Sequence, residues 1–286
     1  MVENNGHKKR YAVLGHPIGH SLSPAMHNAA FRALGWNATY EALDVSPEKL
    51  MSEIAALQKA GFAGLNLTIP LKEVAARNLP KLDESAQLMG AVNTVKFTPE
   101  GPEGYNTDGV GFLKAVEEAF GCPVSGKSLF VLGTGGAGRA VALACAGAGI
   151  VSVTLADTRV EVSRKVAVEI ETQFFISNVT VASDPAEQRI AARKADLVVQ
   201  ATPVGMKAGD TSPLGKEAFR AGQFAFDLIY MYPETPFMKA AREGGARAAN
   251  GLGMLLHQGV KAFEIWTGVT PPVDVMRRAL EKEVYK

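Results

Sequence analysis

The segment Gly133-Thr134-Gly135-Gly136-Ala137-Gly138 constrains the fold of this chain more than any other feature of its sequence. It follows an apolar run, Ser128–Leu132, that reads as a buried strand, and it opens a helix. In the order strand, G-x-G-x-x-G, helix, each glycine has its own reason. The first allows a tight turn, the second leaves bare backbone for a ligand to approach, and the third lets helix and strand pack closely. The helix N-terminus adds unpaired N–H groups and the positive end of a dipole, which suits a pyrophosphate. Glycines alone would also suit an ordinary turn. Here the strand, the helix and Asp157, about twenty residues on at the end of the next strand, agree on a dinucleotide-binding half-domain.

The surroundings support that reading. Val151–Ala156, Asp196–Gln200 and Gln223–Leu228 read as further strands separated by helices, an alternation that predicts a parallel, doubly wound sheet. Ahead of it, Tyr11–Leu14, Thr39–Asp44 and Gly64–Leu67 read as strands, with helices ending near Leu34 and beginning at Ser46-Pro47-Glu48. Leu50, Ile54 and Leu57 fall at helical spacing. Val92–Phe97 and Gly101–Asn106 read as a hairpin turning at Pro99-Glu100-Gly101. Beyond Asn250 the chain reads as helices, Leu252–Thr267 and Val273–Glu283. On the first of these, Leu252, Leu255, Leu256, Val260 and Phe263 form an apolar stripe, with Met254, Gln258 and Lys261 opposite.

Composition narrows the partners. In 286 residues, 30 basic side chains balance 29 acidic ones, and no basic stripe suggests nucleic acid. The longest uncharged run, Ala140–Ala156, is interrupted by Gly147 and Gly149 and reads as a helix turning into a strand, not as a membrane span. Cys122 and Cys145 lack metal-ligand spacing, and Cys145 is expected in the core. His16, His20 and His27 fit no helical zinc pair and are expected in loops or at the surface. No metal is expected. A polar N-terminus without an apolar signal core predicts a cytoplasmic protein.

A second set of polar residues lies outside the glycine-rich half. Ser21 and Ser23 precede a helix, where Ser23 could serve as N-cap with Pro24 at N1, or the two hydroxyls could grip a carboxylate. Asn66 and Thr68 share one face of a strand end, and Lys72 falls in the first turn of the following helix. A cation there opposes the helix dipole, so it points to a task other than stability. Asn93 is a polar residue within an apolar strand. Asp108 could be the N-cap of a helix over Val110–Phe120 or a functional carboxylate.

Taken in order, GHPIGHSLSPAMHN (Gly15–Asn28), GLNLTIPLK (Gly64–Lys72), GAVNTV (Gly90–Val95), GYNTDGVGF (Gly104–Phe112), GTGGAGRA (Gly133–Ala140), ATPVGM (Ala201–Met206), DLIYMYPETPF (Asp227–Phe237) and NGLGMLLHQG (Asn250–Gly259) resemble the shikimate dehydrogenase family. The resemblance implies an α/β fold of two domains around a cleft. Residues 1–108 with 250–286 would form the substrate-binding and catalytic domain, and 109–249 the Rossmann domain. It implies reversible reduction of 3-dehydroshikimate to shikimate in aromatic amino-acid biosynthesis. Lys72 and Asp108 match the family's catalytic pair. Ser21, Ser23 and Tyr230 would hold the ring carboxylate, and Asn66, Thr68, Asn93, Asp108 and Gln258 the ring oxygens.

The same resemblance puts Gly133, Gly135, Gly136, Ala137, Gly138, Asp157, Thr158, Arg159, Thr202, Met206, Gly251 and Met254 at the cofactor. Related readings are a quinate/shikimate dehydrogenase of dual range, against which the Ser21/Ser23 pair looks shikimate-selective, and a non-catalytic sensor, against which Lys72 and Asp108 are retained. The expected assembly is a monomer or homodimer. Family members resemble one another in an Asn-Arg-Thr segment after the second Rossmann strand, whose arginine holds the 2′-phosphate of NADP. This chain reads Asp157-Thr158-Arg159 instead. A carboxylate there can accept from the ribose hydroxyl of NAD and would repel a phosphate, so NAD is expected to be favoured over NADP, although Arg159, one residue further on, could still swing round to a phosphate and Thr158 could add a hydroxyl.

Overall fold

A computed structural model describes residues 8–207 and 209–285; the start of the polar N-terminal segment read above lies outside the described residues. The chain opens with β1 (Lys9–Gly15), α1 (Ser23–Ala33), β2 (Ala38–Asp44), α2 (Leu50–Lys59), β3 (Phe62–Leu67) and α3 (Lys72–Asn78). Next come β4 (Lys81–Leu82), α4 (Glu84–Met89), β5 (Thr94–Thr98), β6 (Gly101–Tyr105) and α5 (Asp108–Phe120). The middle holds β7 (Ser128–Leu132), α6 (Gly136–Gly147), β8 (Ser152–Ala156), α7 (Val160–Phe174), β9 (Val179–Val181) and α8 (Pro185–Lys194). It continues through β10 (Leu197–Gln200), β11 (Phe224–Asp227), α9 (Pro236–Glu243), β12 (Arg247–Ala249), α10 (Leu252–Thr267) and α11 (Val273–Val284). Two compact units result: residues through Asp108 with Gln258–Val284, and Gly109–His257 with Tyr285.

The first unit is built on a mixed sheet of order β2-β1-β3-β5-β6-β4. β1 pairs in parallel with β2 and β3, whereas β5 runs antiparallel to both β3 and β6. The β5–β6 hairpin turns where expected, with Gly101 at φ 122°. One sheet face buries Leu14, Leu65 and Leu67 against Leu50, Ile54 and Leu57, the helical-spacing triplet of α2. Each such side chain, fully buried, contributes about 1.5–3 kcal/mol.

Aromatic side chains fill another part of this unit. Tyr11 stacks on Phe31 with centroids 5.3 Å apart, and Trp266 of α10 lies 5.1 Å from Tyr11. The Trp266 indole N–H donates to Val95 O at 3.0 Å, which satisfies its one polar atom in the core. His27 belongs to this cluster, contrary to its expected place in a loop or at the surface. It is fully buried, stacks on Tyr40 at 4.5 Å, and neither ring nitrogen has a partner. Burial holds its pKa down to about 3, so the ring is a neutral, flat core residue. The stripe of α10 also differs from expectation. Its buried positions are Leu252, Leu256, Gly259, Ala262, Phe263 and Trp266, while Leu255 and Val260 are half-buried. Gly259 is part of the stripe because Met26 presses against it: an added Cβ would lie 2.2 Å from the Met26 methyl.

The second unit carries a wholly parallel sheet of order β12-β11-β10-β7-β8-β9. Counted from β7, the strands lie 3-2-1-4-5-6, the doubly wound Rossmann arrangement, and the order reverses between β7 and β10. Phe130, Leu132, Val198 and Ala225 on the strands pack with Phe219, Phe237 and Ala241. Cys145 is buried in α6, as expected. Among the described residues, no helix is long and apolar enough to cross a membrane.

Gly64 shows how tightly the first unit is packed. A Cβ there would sit 2.3 Å from the Trp266 indole. Gly64→Ala is expected to displace that ring and destabilise the protein by about 1–3 kcal/mol, read from urea denaturation. An unchanged unfolding midpoint would show that the indole has room to move.

Candidate active site

In the second unit the glycine loop joins β7 to α6 at the point where the strand order reverses. Gly133 has φ 91°, and its N–H donates to Ala156 O at 2.7 Å. A Cβ on it would lie 2.8 Å from Thr202 Cγ2 and 2.9 Å from the Ala201 carbonyl, so β10 leaves through the same narrow space. A Cβ on Gly138 would come within 1.8 Å of Gly133 O. Gly135 and Gly136 are different: nothing lies within 4 Å of an added Cβ at either. Gly136 and Ala137 are exposed at the start of α6. Crowded first and last glycines with open ones between them form a backbone cradle at a helix N-terminus, which fits a dinucleotide pyrophosphate.

Asp157 closes the other side of this loop. Its Oδ2 accepts from Thr134 N at 2.8 Å and its Oδ1 from Arg159 N at 2.9 Å. Burial would raise the carboxyl's pKa, but these hydrogen bonds outweigh it and leave the group below its ordinary value. The Asp157 side chain is only 10% exposed, whereas Arg159, 3.7 Å away, is 71% exposed. Thr158 is exposed beside it. Thr202 and Met206 follow β10. Met206 is 43% exposed. Met254 lies half-buried on α10, and Gly251 precedes that helix in a space where a Cβ would meet Leu228 O at 2.2 Å. Tyr230 follows β11, half-buried, and desolvation raises its phenol pKa.

In the first unit a lysine–carboxylate pair is assembled from three elements. β3 delivers Asn66 and then turns through Thr68 into α3, whose first residue is Lys72. The Lys72 ammonium donates to Asp108 Oδ2 at 2.6 Å. The second carboxylate oxygen of Asp108 accepts from Asn93 Nδ2 at 2.9 Å. The carboxylate is thus taken up by Lys72 and Asn93, and Asp108 does not serve as a side-chain cap. Asn106 does that work, with its Oδ1 accepting from Asp108 N at 3.0 Å. Lys72 is 28% exposed and Asp108 14%, so the pair is sheltered yet reachable.

Asn93 lies just ahead of β5, not within it. Its Oδ1 accepts from Thr107 N at 2.9 Å, and it is 2% exposed. Asn66 is 5% exposed and has both amide ends partnered. Ser23 makes no side-chain capping bond on α1, so the capping reading fails; its N–H instead faces Ser21 Oγ at 3.4 Å. Thr68 is half-buried at the end of β3, and Gln258 is half-buried on α10 within this same unit. The sequence reading passed over Tyr40, Thr94 and Thr107, which bond directly to these amides. Only their polarity inside buried segments could have marked them. Among the described residues, no group of three or more His, Cys, Asp or Glu could hold a metal ion.

A doubly wound sheet with a dinucleotide cradle at its switch point, together with a sheltered lysine–carboxylate pair, defines a nicotinamide-dependent oxidoreductase. Comparison with known proteins narrows this. The Shikimate dehydrogenase substrate binding domain matches residues 13–95, and the Shikimate 5'-dehydrogenase C-terminal domain matches residues 251–281. A "Shikimate dehydrogenase (NADP(+))" of Moorella thermoacetica is 44% identical, with 99% of this chain and 96% of the relative covered. One from Methanopyrus kandleri is 42% identical, with 94% and 93% covered. The crystal structure of the Thermus thermophilus enzyme in complex with NADP(H) and shikimate superposes with a TM-score of 0.85. It is 40% identical over 96% of this chain and 99% of that one. This chain belongs to the shikimate dehydrogenase family.

These relatives overturn the expected preference for NAD, since they carry NADP(+) in their names. The structure supplies the physical reason. Asp157 turns its carboxylate inward onto Thr134 and Arg159 backbone N–H groups, so the group left facing solvent at the strand end is a guanidinium.

Gly138→Ala tests the cradle. The clash with Gly133 O is expected to raise the cofactor KM about tenfold or more, where each decade corresponds to ~1.4 kcal/mol, with the KM for shikimate little changed. Equal KM values for cofactor in the two proteins would show that the loop does not hold it.

Proposed function

We propose that this chain catalyses the reversible, NADP(H)-linked reduction of 3-dehydroshikimate to shikimate. The observation that carries the reading is the 2.6 Å contact between Lys72 Nζ and Asp108 Oδ2, with Asn93 holding the other carboxylate oxygen. A nicotinamide bound at the glycine loop supplies the hydride in one direction and accepts it in the other. As a ketone oxygen gains negative charge it needs a proton donor within hydrogen-bond reach. Lys72 gives up that proton and is reloaded from solvent, and in the reverse direction it removes the proton from the hydroxyl. Asp108 orients the ammonium and accepts from the neighbouring ring hydroxyl. Ser21, Ser23 and Tyr230 take the ring carboxylate; Thr68, Asn66, Asn93 and Gln258 face the ring oxygens. As part of the same reading the protein acts in the cytoplasm, as a monomer or homodimer.

Gly133, Gly135, Gly136, Ala137 and Gly138 cradle the pyrophosphate, with Thr202, Met206, Gly251 and Met254 bordering the nucleotide. Asp157 acts on the cofactor through the loop it braces. Arg159, with its exposed guanidinium, and Thr158 beside it form the binding edge for a 2′-phosphate.

Steady-state kinetics test both halves. Lys72→Ala is expected to lower kcat by about 10²–10⁴-fold with little change in KM, because proton transfer matters in the transition state. Near-normal kcat would remove Lys72 from the chemistry. Arg159→Ala is expected to raise KM for NADP by about tenfold, the loss of one charge-assisted hydrogen bond of ~1.5–3 kcal/mol partly replaced by water. Its KM for NAD should hardly move, and an equal change with both cofactors would place the phosphate elsewhere.

A further inference from the structure

Asp108 is held at the end of a chain of buried hydrogen bonds that begins at Tyr40. The Tyr40 phenol donates to Asn66 Oδ1 at 2.7 Å. Asn66 Nδ2 donates to Thr94 Oγ1 at 3.0 Å and to Asn93 O at 2.9 Å. Thr94 Oγ1 donates to Asn93 Oδ1 at 2.9 Å, and Asn93 Nδ2 donates to Asp108 Oδ1 at 2.9 Å. Asp108 Oδ2 receives the Lys72 ammonium.

We propose that Tyr40 is a positioning residue for the Lys72–Asp108 pair, acting through Asn66, Thr94 and Asn93. The inference rests on the roles given above to Lys72 and Asp108.

The direction of the chain follows from donor and acceptor counts. A phenol has one hydrogen, and Tyr40 spends it on Asn66 Oδ1. Together with the bond from Asn66 Nδ2 to Asn93 O, that fixes which way the Asn66 amide faces, with its NH₂ toward Thr94. The Thr94 hydroxyl then receives, so its own single hydrogen goes to Asn93 Oδ1. Thr107 N donates to the same Asn93 Oδ1 at 2.9 Å, so Thr94 and Thr107 together turn the Asn93 NH₂ toward Thr107 Oγ1 and the carboxylate, and one carboxylate oxygen is left for Lys72. Burial holds the Tyr40 phenol well above its ordinary pKa, against the opposing effect of the neighbouring Ser23 hydroxyl, so it remains a donor throughout the working pH range.

Tyr40 itself is fixed on two sides. Asn28 clamps its backbone, accepting from Tyr40 N at 2.9 Å and donating to Tyr40 O at 2.8 Å. His27 stacks on its ring at 4.5 Å with 13° between the planes. That over-determination is what orienting a catalytic group requires, since a misplacement of about 1 Å can cost ~10²-fold in rate. It also gives the unpartnered His27 ring a use, as a flat wall against which the phenol is registered.

Tyr40→Phe removes one hydroxyl and keeps the ring stack. It is expected to lower kcat about tenfold, with a smaller change in KM for shikimate, and to shift the pH profile of kcat. Thr94→Val should do the same further along the chain. The double variant should be no slower than the slower single one, because both break a single connection. A purely structural Tyr40 would lower the melting temperature and leave kcat and its pH profile unchanged; that result overturns the proposal, as does a double variant whose losses multiply. If Tyr40→Phe is insoluble, Thr94→Val decides on the same criteria. Lys72→Ala, assayed alongside, separates the two levels. Retained activity there defeats the assignment of the pair itself, whereas its loss beside a fully active Tyr40→Phe defeats only the role of Tyr40.

Discussion

The side-chain amide of Asn93 is 2% exposed, and both of its ends are in use. Its oxygen receives the backbone N–H of Thr107, and its nitrogen reaches Asp108 across the segment between β5 and α5. A buried amide in this state has no cheap alternative, because turning it would put donor against donor and leave groups unsatisfied at about 1–3 kcal/mol each. The geometry of Lys72 and Asp108 depends on that amide. Lys72 approaches from the start of α3 and Asp108 from the start of α5, so neither element alone fixes their separation. Asn106 adds a second restraint by capping Asp108 N while donating to Ala91 O at 2.9 Å. The pair is therefore anchored in the sheet and not in a mobile turn.

The second unit solves a different problem by crowding. Its loop must bring bare backbone to a phosphate while β7, α6 and β10 converge on one point. Gly138 against Gly133 O, and Gly133 against Ala201 and Thr202, leave no volume for side chains there. Asp157 then holds the loop by accepting from Thr134 N, and the Thr134 hydroxyl packs against Ser163 Oγ at 3.0 Å. A carboxylate so employed is a brace. Its side chain is 10% exposed, and the exposed charge beside it is that of Arg159, 3.7 Å away.

How much of this could be read from residues alone depended on whether the cause was local. The glycine loop and the position of Lys72 at a helix start are decided by neighbours in sequence, and they stand where expected. The hairpin of β5 and β6 was equally legible. Asp157 was misread because its role is set by which way the carboxylate turns, and Thr134 N, twenty-three residues earlier, decides that. His27 was expected in a loop or at the surface because its spacing from His16 and His20 fits no helical zinc pair; the surrounding Tyr40, Phe263 and Trp266 come from distant segments. The stripe of α10 was drawn through Leu255 and Val260 by hydrophobicity, whereas the pressure of Met26 selects Gly259. Ser23 and Asp108 had capping as a plausible local alternative. For Asp108 that alternative fails because tertiary partners, Lys72 and Asn93, take both carboxylate oxygens; for Ser23 it fails because the helix starts at that residue and its hydroxyl makes no capping bond.

Helix dipoles complete the account of the reactive pair. Asp108 begins α5, where the positive end of the helix favours a carboxylate. Lys72 begins α3, where the same field opposes an ammonium. Alone, Lys72 would be a poor choice for that position, and α3 is too short to gain much from propensity. Beside Asp108 the balance changes, because the carboxylate offsets the field of α3 at 2.6 Å. Tyr40, Asn66, Thr94 and Asn93 keep the carboxylate where it can exert its share.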